Sequence, residues 1–252
     1  MSSPVLFSVT DGIAEITLNR PDKRNALNDE LIKAVKDALR EVDRDPTARV
    51  AVIRGAGKDF CSGADLSALQ KIAQADVLEN LEDATNLMEL FALIRRARVP
   101  VVAAVTGRAL AGGCGLATAC DLVLAAETAR FGYPEVKIGF VPAMVMAILR
   151  RNVGEKRAFE LITRGREITS AEAERIGLVN QVFADEVFAE EAASYLQSFT
   201  KASASAVFLS KRLLYNMDGM GFTAALQAGV DVNTIARLTD DCRQGVARFL
   251  EK

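Results

Sequence analysis

What most constrains this chain is a recurring order of short apolar runs, glycine-bearing loops and helix-spaced segments. Val50-Ala51-Val52-Ile53, Val101-Val102-Ala103-Ala104-Val105 and the segment from Asp121 to Ala126 read as short strands of the buried kind. Ahead of them, Val5-Leu6-Phe7-Ser8-Val9, a turn at Asp11-Gly12 and Ile13 to Leu18 read as a hairpin. After a polar loop from Asn19 to Asn28, Leu31, Val35, Ala38, Leu39 and Val42 recur at helical spacing until Asp45-Pro46. Leu66 to Arg98 reads as an interrupted helical stretch. Strand, loop, helix, strand, repeated, predicts an α/β layered core with a crossover at each step.

Further along, Gly107 to Gly115 reads as loop and Leu116 to Ala119 as a helical turn. From Ala143 onward the pattern is nearly all helical, with helices expected over Asp185 to Thr200, Ser203 to Tyr215 and, with breaks, Phe222 to Phe249. No low-complexity linker intervenes. The expectation is one α/β core over 1–195 and a helical C-terminal region over 196–252 that docks or swaps between subunits.

Several classes of function drop out on composition. The chain has no histidine, which removes Ser-His-Asp triads, Cys-His pairs and histidine metal sites. Cys61, Cys114, Cys120 and Cys242 form no CxxC or ligand-like spacing, so reduced thiols are expected rather than disulfides or zinc. A net charge of -2 gives no broad attraction to nucleic acid or an anionic membrane. No apolar run reaches the roughly 20 residues needed to span a bilayer, and the first residues lack a signal-peptide pattern. A cytoplasmic protein with no metal and no cofactor of its own is expected.

Two glycine-bearing segments can bring backbone N–H groups close to a ligand. One is Phe60-Cys61-Ser62-Gly63-Ala64-Asp65-Leu66, and the other runs from Ala109 through Gly112-Gly113-Cys114-Gly115 to Leu116, into a helix start. A pair of N–H donors from separate loops suits a developing oxyanion, although small residues in tight turns explain either segment taken alone. Neither is a dinucleotide or Walker loop, because the GxGxxG and GxxxxGK[ST] spacings are absent.

Four tracts, in this order and spacing, resemble the crotonase family of enoyl-CoA hydratases and isomerases. They are Asn19-Arg20-Pro21-Asp22-Lys23-Arg24-Asn25-Ala26-Leu27-Asn28, Phe60 to Leu66, Gly107 to Asp121, and Phe131-Gly132-Tyr133-Pro134-Glu135. The resemblance runs from about Val5 to Lys252. It implies a core of repeated ββα units, a helical C-terminal region, and a homotrimer or dimer of trimers acting on an acyl-CoA. It further implies that the N–H groups of Ala64 and Gly112 hold the thioester oxygen. The Lys23 to Ala26 loop, including Arg24, would line the CoA pocket with Ala64, Asp65 and Leu66; an exposed Lys-Arg pair can equally be merely solvated.

In similar hydratases two glutamates stand twenty positions apart. Here Glu135 matches the second, while the first position is the vacant Gly115. Two carboxylates suit hydration and one suffices for a proton shift, so the vacancy favours a delta3-delta2-enoyl-CoA isomerase. Against this, Glu135 to Ala143 resembles the tract of bacterial methylglutaconyl-CoA-type hydratases, which also carry glycine first. Hydration of a short or branched 2-enoyl-CoA is therefore placed first, with isomerisation or a catalytically idle CoA-binding subunit as alternatives. Asp65 and Asp121 adjoin turns and are expected to cap backbone N–H groups. Cys114 reads as a small apolar filler, not a nucleophile.

Overall fold

The computed structural model describes residues 3–251. The hairpin forms as expected from β1 (Val5–Thr10) and β2 (Ile13–Leu18), joined by Asp11 and Gly12, both at positive φ (51° and 82°). Such a two-residue turn matches the twist of the strands it joins. Helix α1 (Asp29–Arg44) starts where the Asn28 side chain accepts the Leu31 N–H, and it buries the apolar stripe Leu31, Val35, Leu39 and Val42. After β3 (Val50–Gly55), the interrupted helical stretch resolves into α2 (Leu66–Gln74) and α3 (Val77–Arg96). The break is a capping box, in which Asp76 accepts the Glu79 N–H while Glu79 accepts the Asp76 N–H. Strand β4 (Val101–Val105) is buried throughout.

Gly107 to Gly115 is not a loop, contrary to expectation. It holds a short strand, β5 (Arg108–Leu110), and the first turn of α4 (Gly112–Ala119). Glycines disfavour a helix, but Gly113 to Ala119 are all buried, and that packing overrides local propensity. Next come β6 (Leu122–Ala126), β7 (Arg130–Gly132), α5 (Ala143–Asn152) and α6 (Glu155–Arg164). The region expected to be nearly all helical also contains two strands, β8 (Glu167–Thr169) before α7 (Ser170–Arg175), and β9 (Gln181–Phe183). Three residues are too few to display a strand period, so pairing alone creates them. The chain closes with α8 (Phe188–Thr200), α9 (Ala204–Asn216), α10 (Phe222–Arg237) and α11 (Asp240–Leu250).

The main sheet runs β1-β2-β3-β4-β6-β9, parallel except for β1, and a second sheet runs β5-β7-β8. Ala51, Ile53, Ala103 and Val105 join the large core shared with α1 and α3. Val50, Val52, Val102 and Leu124 face the other way, against Phe188, Ala192 and Leu196 of α8. The 195/196 division thus falls inside a helix that packs on the sheet. On α10 and α11, Phe222, Leu226, Val230, Val246, Phe249 and Leu250 are exposed. No helix among the described residues is long and apolar enough to cross a membrane.

Candidate active site

All the parallel strands point the same way, so the loops that follow β2, β3 and β4 gather at one edge of the sheet, the usual place for a ligand in an open α/β sheet. Short rungs tie these loops together. Leu27 N–H donates to Gly63 O (2.7 Å) and Asp65 N–H to Leu27 O (2.9 Å), which bridges the first loop to Ala64. Cys61 N–H donates to Arg108 O (3.0 Å) and Leu110 N–H to Cys61 O (2.9 Å), which bridges the second loop to β5. Strand β5 then pairs with β7, the strand leading to Glu135.

This ladder leaves two donors over. The bridge at Ala64 uses the carbonyl before it and the N–H after it, and Ala64 N–H itself donates to nothing among the described residues. Gly112 N–H is the first of α4 and has no acceptor within its helix. Ala111, held at φ 49° and ψ −127°, turns the chain sharply into that helix. The two donor loops touch: a Cβ on Gly63, itself at φ +98°, would lie 2.8 Å from Ala111 Cβ and 3.6 Å from Gly112 N. A side chain at Gly63 would push them apart.

Glu135 sits in a 3-10 turn (Pro134–Ile138) directly after β7. It is half-buried, and its Oε2 is buried without a hydrogen-bond partner. Burial raises its carboxyl above the usual range. Ala111 N–H donates to Gly132 O (2.9 Å), so the strand that leads to Glu135 ends against the start of α4, and burial pushes the Cys114 thiol there up to about 12. Tyr133 anchors this corner, because its hydroxyl lies 2.6 Å from Thr118 Oγ1, which donates to Cys114 O (2.7 Å). A thiol so reluctant to ionise is an inert filler, as the sequence suggested.

The chain as a whole has close counterparts among known proteins. The family model described as enoyl-CoA hydratase/isomerase matches residues 8–252. The chain belongs to that family. A Thermus thermophilus relative bearing an enoyl-CoA hydratase name is 40% identical, with 95% of each chain covered. The 2,3-dehydroadipyl-CoA hydratase of Escherichia coli is 34% identical over 99% of this chain and 96% of its own length. A crystal structure of a Mycobacterium smegmatis enoyl-CoA hydratase superposes with a TM-score of 0.94 at 29% identity, covering 98% of this chain and 96% of that one.

In this member of the enoyl-CoA hydratase/isomerase family, an enzyme by that membership, Lys23 and Arg24 are exposed on the loop after β2, while Ala26 is buried and Leu66 exposed. The Asp65 carboxylate is engaged inside the protein. It accepts the Ser67 N–H (3.1 Å) and pairs with Arg20 (2.7 Å), whose guanidinium holds it below the usual range. That is the capping role expected of Asp65, plus a partner that sequence reasoning missed. Arg20 also donates to Ala26 O, so it straps the first loop to the second. Asn25, fully buried at φ 53°, donates to Ala56 O (2.9 Å) and Asp59 O (2.8 Å). Both residues lie in the tract that carried the family resemblance, but nothing local signals their partners.

The position of the family's first glutamate is closed by apolar side chains. A Cβ on Gly115 would lie 3.1 Å from Phe91 Cζ and 3.4 Å from Val145 Cγ2, both buried residues. No single-sequence signal marks Phe91 or Val145 as neighbours of Gly115, since they come from α3 and α5. Among the described residues no group of three or more acidic or cysteine side chains is placed to hold a metal ion.

Proposed function

We propose that this enzyme hydrates a short or branched 2-enoyl-CoA, with the N–H groups of Ala64 and Gly112 holding the thioester oxygen and Glu135 carrying the proton. The observation behind this reading is that adjoining segments carry two unused backbone donors and a half-buried carboxylate whose buried oxygen has no partner. Donors fixed in advance stabilise the negative charge that appears on the thioester oxygen when water adds at C3. One carboxylate can then serve both ends of the addition. Ionised Glu135 takes a proton from water, the water oxygen bonds to C3, the double-bond electrons move onto the thioester oxygen, and the same proton passes from Glu135 to C2 as the enolate collapses. A carboxyl raised by burial is a better proton acceptor for this step than an ordinary one.

Lys23 and Arg24 are assigned to the phosphates of CoA, and Ala26, Asp65 and Leu66 to the walls of the CoA channel. The CoA is part of the substrate, and the chemistry proposed uses no further cofactor or metal. The exposed apolar side chains of α10 and α11 are assigned to a homotrimer or dimer of trimers, and the enzyme to the cytoplasm. The names of the relatives favour hydration. The apolar wall at Gly115 favours the second reading, a delta3-delta2-enoyl-CoA isomerase in which Glu135 moves a proton from C2 to C4.

The test is a product assay in ¹⁸O-labelled water with crotonyl-CoA, a 3-enoyl-CoA and 3-methylglutaconyl-CoA side by side. Labelled 3-hydroxyacyl-CoA from crotonyl- or 3-methylglutaconyl-CoA is the expected result. Unlabelled 2-enoyl-CoA from the 3-enoyl substrate alone would replace hydration with isomerisation. Binding of all three without turnover would leave only an idle CoA-binding subunit.

A further inference from the structure

At the opposite edge of the sheet, where the parallel strands begin, a cleft of about 730 Å³ opens between the end of α3 and α9. Arg95, Arg96 and Arg98 line it from one side and Arg212 from the other, against a single lining carboxylate, Asp43. One oxygen of that carboxylate accepts the Arg98 backbone N–H at 2.7 Å. None of the four guanidinium groups forms an ion pair among the described residues. Arg98 spends one nitrogen on the carbonyls of Asp45 (2.7 Å) and Ala48 (3.2 Å). Arg95 Nε is buried with no acceptor at all.

Two of these side chains also lie over aromatic rings. The Arg95 guanidinium carbon lies 4.4 Å from the Tyr215 ring centroid, and Tyr215 is fixed in turn by donating its hydroxyl to Asp121 (2.6 Å). The Arg212 guanidinium carbon lies 5.4 Å from the Phe208 ring centroid. A guanidinium drawn over an aromatic ring can still offer N–H groups to a planar, bidentate acceptor. Four guanidinium groups in one cleft, on a chain whose net charge is -2, repel one another until an anion is shared between them. Guanidinium groups on both walls of a cleft this large leave room for two or three linked phosphoryl groups, which can present oxygens to both walls at once.

We propose that this cleft is a binding site for a condensed phosphate, a di- or triphosphate group, either inorganic or the tail of a nucleotide. It is separate from the thioester site and does not depend on the hydratase reading. The experiment is calorimetric titration of the whole protein at low ionic strength with pyrophosphate, tripolyphosphate, ADP and ATP, butyryl-CoA being kept saturating so that the CoA site is filled. One saturable site per chain is expected, weakened about tenfold or more in Arg95→Gln and in Arg212→Gln and weakened by added salt. Arg212 is exposed, so its replacement keeps the fold if the Arg95 variant does not. Equal affinity for pyrophosphate and ADP would identify the inorganic ion as sufficient, and tighter ADP would identify a nucleotide; either supports the site. The proposal is overturned if no heat is seen, if butyryl-CoA competes with pyrophosphate, or if Arg212→Gln leaves its affinity unchanged. It is equally overturned if Arg212→Gln dissociates the oligomer while the wild type binds no phosphate, because the cleft then receives an acidic surface of a second copy.

Discussion

Asp121, before a strand of the main sheet, and Glu135, after a strand of the second sheet, are two half-buried carboxylates, and their surroundings could hardly differ more. Asp121, at the start of β6, accepts the Val101 N–H (2.6 Å), the Lys211 ammonium (2.7 Å) and the Tyr215 hydroxyl (2.6 Å). Lys211 is buried, and it spends its remaining donors on Ile94 O (3.0 Å) and Val99 O (2.9 Å). Burial pulls that ammonium's pKa down, and the Asp121 charge opposes the pull. The cluster fastens α9 to the sheet. Glu135 has none of this: one oxygen is buried and unpartnered, and burial raises its carboxyl. A buried polar group with every partner filled holds structure, whereas one left unfilled costs stability and, in a carboxylate, marks a candidate for proton transfer.

The sharpest way to break the comparison is to remove each carboxylate's distinguishing feature. Glu135→Gln keeps the shape of the side chain and removes the proton carrier, so turnover should fall by about 10²–10⁴-fold while acyl-CoA binding stays nearly intact. A loss smaller than tenfold would move the chemistry elsewhere. The same variant should melt higher than the wild type at neutral pH. The folded protein holds the Glu135 proton more tightly than the unfolded chain does, so ionising it is a burden that the wild type bears above the raised pKa and sheds as pH falls below the ordinary carboxyl range. Melting curves across that window should therefore converge at acid pH.

Lys211→Met should do the reverse, leaving Asp121 buried without its countercharge. A stability loss of about 3–5 kcal/mol in urea denaturation is expected, with kcat per folded molecule unchanged. Adding Asp121→Asn to it should recover part of the loss, since the stranded charge is gone. Should Lys211→Met lower kcat without lowering stability, the anchoring role would be wrong.

The smallest effect concerns the wall at Gly115. Gly115→Glu alone should cost about 1–3 kcal/mol, because its side chain runs into Phe91 and Val145, and it should not speed hydration of crotonyl-CoA. Combined with Phe91→Leu, which trims the ring nearest the new Cβ, it should hydrate faster than Gly115→Glu by itself. If the single variant is stable and already faster, the pocket yields at that point and the single-carboxylate character rests on one residue.

Much of this was legible in the chain itself, and the reason is length. The Asp11-Gly12 hairpin, the apolar stripe of α1 and the buried runs of β3, β4 and β6 are long enough for a period, or a run of one residue type, to declare itself. Family resemblance added Ala64, Gly112 and Glu135, which the fold brings to adjoining segments. Other features were decided by tertiary structure alone. Strands β5, β7, β8 and β9 have three residues each, too short for a pattern, and exist because a partner is beside them. Helix α4 starts at Gly112 against the propensity of its glycines because burial outweighs it. Asp65 and Asp121 look alike as carboxylates beside turns, but the local capping expected of both occurs only at Asp65, while Asp121 accepts the N–H of Val101, 20 positions away. Their larger roles come from Arg20, 45 positions away, and Lys211, 90 positions away. Sequence fixes which groups can bond, but a buried charge takes its partner from whatever the fold brings within reach, and that distance is set in space rather than along the chain.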